Sequence, residues 1–196
     1  MLIRINLLHH QNNNMKKNQL YLIALYIYSL TFFFTANQAP AQTPQIAKVG
    51  DVAPSFSLTD FQGKKFSYTK GKSSKVRLFW FTNLCSGCQS VILDMEKIKN
   101  TYEKKGVEIV LVSQLGTDKA TVEQAIKDKK LTLRFLYDPK GEATSLYSGR
   151  FTIGTCPMKS IYVIGKTGTI RFASHFPGTR TAELISQIDN ALAAIE

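Results

Sequence analysis

Residues 76–88 read VRLFWFTNLCSGC. Val76 to Thr82 is a nearly continuous apolar run of strand length, the pattern of a strand covered on both faces. Cys85-Ser86-Gly87-Cys88 follows, and beyond it Val91, Met95, Ile98 and Tyr102 recur at helical spacing with Glu96, Lys97, Lys99 and Glu103 between them. That is an amphipathic helix. A Cys-x-x-Cys pair therefore falls where a buried strand ends and a helix begins.

The position carries chemistry. Exposed N–H groups and the macrodipole at a helix N-terminus favour a thiolate on Cys85. The thiolate is the nucleophile, and the spacing lets Cys88 reach its sulfur and close a small disulfide ring. The competing structural reading is half of a zinc site, which needs a second pair of ligands. The chain has three Cys, the third being Cys156, and three His, of which His9 and His10 lie in the N-terminal segment and only His175 in the remainder. No second ligand pair exists, so neither a metal nor a cofactor is expected.

Upstream, residues 15–41 read MKKNQLYLIALYIYSLTFFFTANQAPA. Positive charge at Lys16 and Lys17, an apolar run from Leu20 to Phe34 and a close in Ala39-Pro40-Ala41 make the layout of a secretory signal peptide. Met15 is a better first residue for it than Met1. The run is shorter than the roughly 20 residues that span a bilayer, so an uncleaved membrane anchor is the minor alternative. Export to a periplasm-like space is expected, and a lone Cys-x-x-Cys in an exported domain reads as redox-active, since so short a loop staples little.

Residues 42–49 form a short linker, and 50–196 suit one domain. Phe56-Ser57-Leu58 alternates and meets turn chemistry at Asp60-Phe61-Gln62-Gly63 before Lys65 to Tyr68, which predicts a hairpin. Gly106 ends the helix after the cysteines, and Val107 to Ser113 is a second buried strand. Thr117 caps a helix with Val122, Ala125 and Ile126 inward, closing in Lys127 to Lys130 where cations suit a helix C-terminus. Leu131 to Tyr137 is a third strand and Gly141 to Tyr147 a short helix. Ser160 to Ile164 and Thr169 to Phe172 pair across Lys166-Thr167-Gly168. Thr181 starts a last amphipathic helix carrying Leu184, Ile188, Leu192 and Ile195. Alternation followed by a terminal hairpin and helix gives an α/β fold, a mixed sheet with helices on both faces.

Composition agrees. Of 196 residues, 44% are apolar and 20% charged, which excludes disordered and polytopic membrane classes. The net charge is +11, and removing Arg4, Lys16 and Lys17 leaves 22 basic against 14 acidic groups. The lysines stand singly among acids and apolar residues, so the excess reads as a solvated surface with no nucleic-acid partner.

The stretches GDVAPSFSLTDFQGKKFSY (50–68), VRLFWFTNLCSGC (76–88), GVEIVLVS (106–113) and CPMKSIYVIGKTGTIRF (156–172) resemble the redoxin branch of the thioredoxin superfamily. That branch holds the TlpA/ResA-like exported thiol–disulfide oxidoreductases and the wider alkyl hydroperoxide reductase/thiol-specific antioxidant group, peroxiredoxins included. The resemblance implies a thioredoxin-like three-layer α/β/α fold with an N-terminal hairpin. It also implies Cys85 as attacking thiol, Cys88 as resolving thiol and Pro157 as a cis-proline beside them. Protein thiols and disulfides would be the substrates, and a separate redox protein would recharge the pair. Three departures are visible. Leu84 before the first Cys gives an apolar rim, Ser86-Gly87 fills the pair without a proline, and Val91 stands where many relatives carry a Glu.

Two other functions stand beside this reading. Thr82-Asn83-Leu84-Cys85 supplies the Thr-x-x-Cys half of a peroxiredoxin motif, although Leu78 and Lys159 occupy its Pro and Arg positions. A Sco-like copper protein would use Cys85, Cys88 and a late ligand near Cys156 or Pro157, but spaces its cysteines more widely. Cys156, directly before Pro157, is either a small buried thiol that packs over the pair or a third redox member that modulates Cys85. Trp80 reads as core, His175 as a loop residue and Asp94 as solvent-facing.

Overall fold

The computed structural model describes residues 45–69, 71, 74–84, 86–114, 119–149, 152, 155, 160–175 and 181–195. In chain order these form β1 (Phe56–Asp60), β2 (Lys65–Tyr68), β3 (Arg77–Thr82), α1 (Ser86–Tyr102), a 3₁₀ turn (Glu103–Lys105), β4 (Glu108–Ser113) and α2 (Lys119–Asp128). β5 (Arg134–Tyr137), α3 (Glu142–Ser148), β6 (Ile161–Ile164), β7 (Ile170–Ser174) and α4 (Thr181–Ala193) complete them.

The strands make one mixed sheet in the order β2-β1-β5-β4-β3-β6-β7. β3 lies parallel to β4 and antiparallel to β6, while β4 and β5 are parallel. The hairpin expected at 56–68 is present, and β1 also joins the sheet antiparallel to β5. Asp60 makes its turn: Oδ1 accepts the N–H groups of Gln62 (3.2 Å) and Lys64 (2.7 Å), while Oδ2 pairs with the Arg134 guanidinium at 3.1 Å.

Side-chain alternation along the buried strands divides the interior in two. Leu78 and Trp80 of β3 and Ile109 and Leu111 of β4 meet Val91, Ile92, Met95 and Ile98 of α1, Val122 of α2, and Leu184, Ile188 and Leu192 of α4. Phe79 and Phe81, with Val110 and Val112, face the other way toward Ala143 and Tyr147 of α3 and the hairpin residues Phe56, Phe66 and Tyr68. The helical repeat read from 91–102 is therefore the buried face of α1, and Trp80 is core. The first turn of α3 is held by Asp138, whose buried carboxylate accepts the Thr144 N–H at 2.9 Å and hydroxyl at 2.8 Å. A carboxylate at that helix end also suits the dipole.

Most boundaries fall within a residue or two of expectation, and two of the shifts have a visible cause. The third strand begins at Arg134, not Leu131, because the Glu96 carboxylate of α1 takes the N–H groups of Thr132 (3.1 Å) and Leu133 (3.2 Å) and the Thr132 hydroxyl. Those donors no longer face a neighbouring strand. α2 ends at Asp128, with Lys130 in the left-handed region at φ 51° closing it. Thr117, the expected cap, lies outside the described residues.

The aromatic side of the sheet buries phenols. The Tyr147 hydroxyl donates to the Pro54 carbonyl and the Tyr162 hydroxyl to the Tyr147 carbonyl, both at 2.8 Å. Burial raises both phenols above the ordinary tyrosine value, Tyr147 strongly. In the unfolded chain each ionises near pH 10, so the folded state binds protons that the unfolded state has released. The stabilisation is complete below that value and is lost as pH climbs through it. The denaturant midpoint should thus hold up to about pH 9 and fall steeply above about pH 10. Tyr162→Phe should flatten the slope of that fall; an unchanged slope would contradict the role given to the phenol.

Candidate active site

Strand β3 delivers the chain to the carboxyl edge of the sheet, where Thr82, Asn83 and Leu84 are all buried. Ligand and catalytic sites of open α/β sheets lie at this edge. Leu84 adopts φ 51°, a left-handed backbone that a leucine rarely takes. Two hydrogen bonds hold it there. The Leu84 N–H donates to Thr82 Oγ1 at 2.9 Å, and the Leu84 carbonyl accepts from Gln89 Nε2 at 2.8 Å. The carbonyl belongs to the peptide bond leading into Cys85, so a side chain of α1 fixes how the chain arrives there.

This turn corrects the expected apolar rim. The left-handed bend carries the Leu84 side chain inward, where it is 4% exposed and joins Trp80, Cys88 and Val91 in the core. The apolar residue before the first cysteine is thus a core residue.

Helix α1 begins at Ser86, immediately after Cys85, and its first turn contains no acidic residue. Its N-terminal N–H groups and dipole are therefore not offset by a carboxylate in that turn. Cys88 sits in this turn, 4% exposed. Val91 is buried one turn further on, so the position where many redoxins place an acid is closed by core packing. Cys85, Cys156, Pro157 and Lys159 lie outside the described residues.

His175 follows β7 and is half-buried. Asp94 is partly exposed on α1 and paired with Lys97 at 3.0 Å. His175 follows Ser174, whose carbonyl takes the Ser160 N–H beside the end of β3, and Asp94 stands further along α1.

Two residues unmarked by the sequence reading meet this edge of β3. Gln89 is one. Gln114 is the other: directly after β4, its backbone N–H donates to the Thr82 carbonyl at 3.1 Å and its Nε2 to the Thr155 carbonyl at 2.7 Å. A signal for Gln114 existed, since Ser113-Gln114 turns polar where an apolar parallel strand reaches its carboxyl end.

Comparison with known proteins places these features. The AhpC/TSA family model matches residues 49–173. The thiol-disulfide oxidoreductase ResA of Bacillus cereus is 29% identical over 175 residues, which cover 88% of this chain and 96% of that protein. Among solved structures, the thioredoxin domain of a thiol-disulfide oxidoreductase from Bacteroides vulgatus superposes with TM-score 0.55 at 21% identity, covering 72% of this chain and 97% of that one. A peroxiredoxin-like protein from Aquifex aeolicus gives 0.61 at 15% identity, covering 76% and 90%. These likenesses establish the thioredoxin-like α/β fold expected from the sequence.

The left-handed turn is testable by stability. Leu84→Ala and Leu84→Gly both remove a buried side chain, a loss of about 2–5 kcal/mol. At positive φ, however, glycine is unstrained and alanine is not, so Leu84→Gly should be the more stable of the two by about 1 kcal/mol. Urea denaturation of both variants decides it; alanine equal to or above glycine would place Leu84 outside the left-handed region.

Proposed function

Since the chain belongs to the AhpC/TSA family, we propose that it is an exported thiol–disulfide oxidoreductase in which Cys85 and Cys88 exchange electrons with protein disulfides. The protein is an oxidoreductase of thioredoxin-like fold. The observation that carries the finer reading is the burial of Cys88 in the first turn of α1, beside a strained Leu84 that leads the chain into Cys85.

The chemistry follows from the order of the two thiols. Cys85 as thiolate attacks one sulfur of a substrate disulfide and expels the other as a thiolate, leaving a mixed disulfide. Cys88 gives up its proton and attacks the Cys85 sulfur, which releases the second substrate thiolate. Two electrons pass from the pair to the substrate, both substrate sulfurs end as thiols, and the pair ends as a Cys85–Cys88 disulfide. A dithiol partner protein runs the same exchange in reverse to restore it. The burial of Cys88 suits a thiol that attacks only an already captured neighbour. Pro157 is assigned the place beside the pair where an extended substrate chain lies.

With dithiothreitol as reductant, the protein should reduce insulin disulfides and consume hydrogen peroxide only slowly. Cys85→Ser should lower insulin reduction to the background rate, whereas Cys88→Ser should accumulate a covalent adduct with insulin. Alkylation of Cys85 should follow a midpoint below the ordinary thiol value of about 8.5. Rapid peroxide turnover that needs Cys85 but not Cys88 would replace this function with that of a thiol peroxidase.

Export rests on the signal-like order of charged, apolar and small residues in 15–41. Protein recovered from the exported fraction of the producing cell should begin at Gln42. An N-terminus at Met15 on membrane-bound protein would mean that the apolar run serves as an anchor.

A further inference from the structure

Gln114 occupies a place for which an apolar residue would be the ordinary choice. It is 0% exposed, and a buried amide is costly unless both its ends are hydrogen-bonded. Only one end is: Nε2 holds the Thr155 carbonyl at 2.7 Å, while Oε1 has no donor among the described residues. A residue placed there for packing alone would not need the amide.

What the amide joins explains it. Through its backbone N–H, Gln114 holds the carbonyl of Thr82, three residues before Cys85. Through its side chain it holds the carbonyl of Thr155, the residue before Cys156-Pro157. Thr155 is itself fastened in a tight turn, its N–H (3.0 Å) and hydroxyl (2.6 Å) both donating to the Thr152 carbonyl. A peptide unit is planar, so fixing the Thr155 carbonyl sets the plane of the bond by which the chain enters Cys156. One buried residue, through its backbone N–H and its side-chain amide, thus ties together the two segments that lead into the cysteine pair and into the cysteine-proline step.

We propose that Gln114 is a positioning residue that sets the reactivity of Cys85 by fixing the segment entering Cys156-Pro157 against the end of β3. The inference rests on the thiol–disulfide function proposed above. Gln114 acts through Thr155, whose carbonyl its side-chain amide holds.

Gln114→Met keeps the length of the side chain and removes the donor. It should slow insulin disulfide reduction by roughly ten- to hundredfold and shift both the equilibrium constant of the pair against glutathione and the pH midpoint of Cys85 alkylation. Gln114→Glu supplies a second test that survives a folding failure of the first. At pH 8 its ionised carboxylate faces the Thr155 carbonyl with no hydrogen to donate, whereas near pH 5 the protonated carboxyl donates again. The deficit of this variant, taken as the ratio to the parent at each pH, should therefore shrink at pH 5. A parent that cannot reduce insulin disulfides would refute the function itself. A parent that reduces them, with both variants at parent values of rate, equilibrium constant and alkylation midpoint, would refute the role of Gln114 alone.

Discussion

A strand buried on both faces and paired along both edges leaves its chain a single way out, through the end. β3 is that strand. β4 and β6 satisfy its backbone groups, Leu78 and Trp80 fill one side of the sheet, and Phe79 and Phe81 fill the other. The chain leaves at Thr82 and must become α1 within four residues while keeping its polar groups satisfied. The left-handed Leu84, with Thr82 beneath it and Gln89 across it, is the solution, and Cys85 follows directly on it. The chemistry is placed by the sheet before any residue of the site adds its own contribution.

Around this strand the two sides of the sheet are built differently. One side is mainly aliphatic, with Phe61, Trp80 and Phe135 among the branched side chains, and carries α1, α2 and α4. The other is crowded with rings, and Tyr147 packs edge-on against Phe56, Phe79 and Tyr162 at centroid separations of 5.1–6.0 Å. Edge-on ring pairs are directional as well as apolar. The Tyr147 phenol ties the lead-in at Pro54 to α3, and the Tyr162 phenol ties the end of α3 to the sheet. The helix bearing Cys88 thus rests on the aliphatic side, and the segment joining the N-terminal hairpin rests on the aromatic one.

Much of this was legible in the residues. The run from Val76 to Thr82, the Cys-x-x-Cys after it and the repeat Val91, Met95, Ile98, Tyr102 gave strand, junction and helix face, because burial on two sides and on one side leave different periods. The hairpin at Asp60 and the terminal pair across Gly168 announced themselves through turn chemistry. What escaped depends on contacts between residues far apart in the chain, as at Glu96 and Gln114, or on a backbone angle no side-chain pattern announces, as at Leu84. Glu96 looked like one more charge on the wet face of a helix, yet it receives the N–H groups that would otherwise have extended β5. Leu84 promised an apolar rim, and only its backbone angle turns it inward. Gln89 and Gln114 are polar residues of no marked pattern: Gln89 acts through the carbonyl of the left-handed Leu84, and the role of Gln114 exists only once the ends of β3 and β4 are brought beside Thr155.

The far part of α1 is held by several unrelated contacts. Glu96 binds the approach to β5, Lys99 Nζ donates to Thr132 Oγ1 at 2.9 Å, and the Tyr102 hydroxyl donates to the Asp189 carbonyl at 3.3 Å. Its opening turn is joined back to the chain by the Gln89 amide. The helix is thus anchored along its length, to the approach to β5, to α4 and to the end of β3, so the element that carries Cys88 is fixed to three parts of the fold at once.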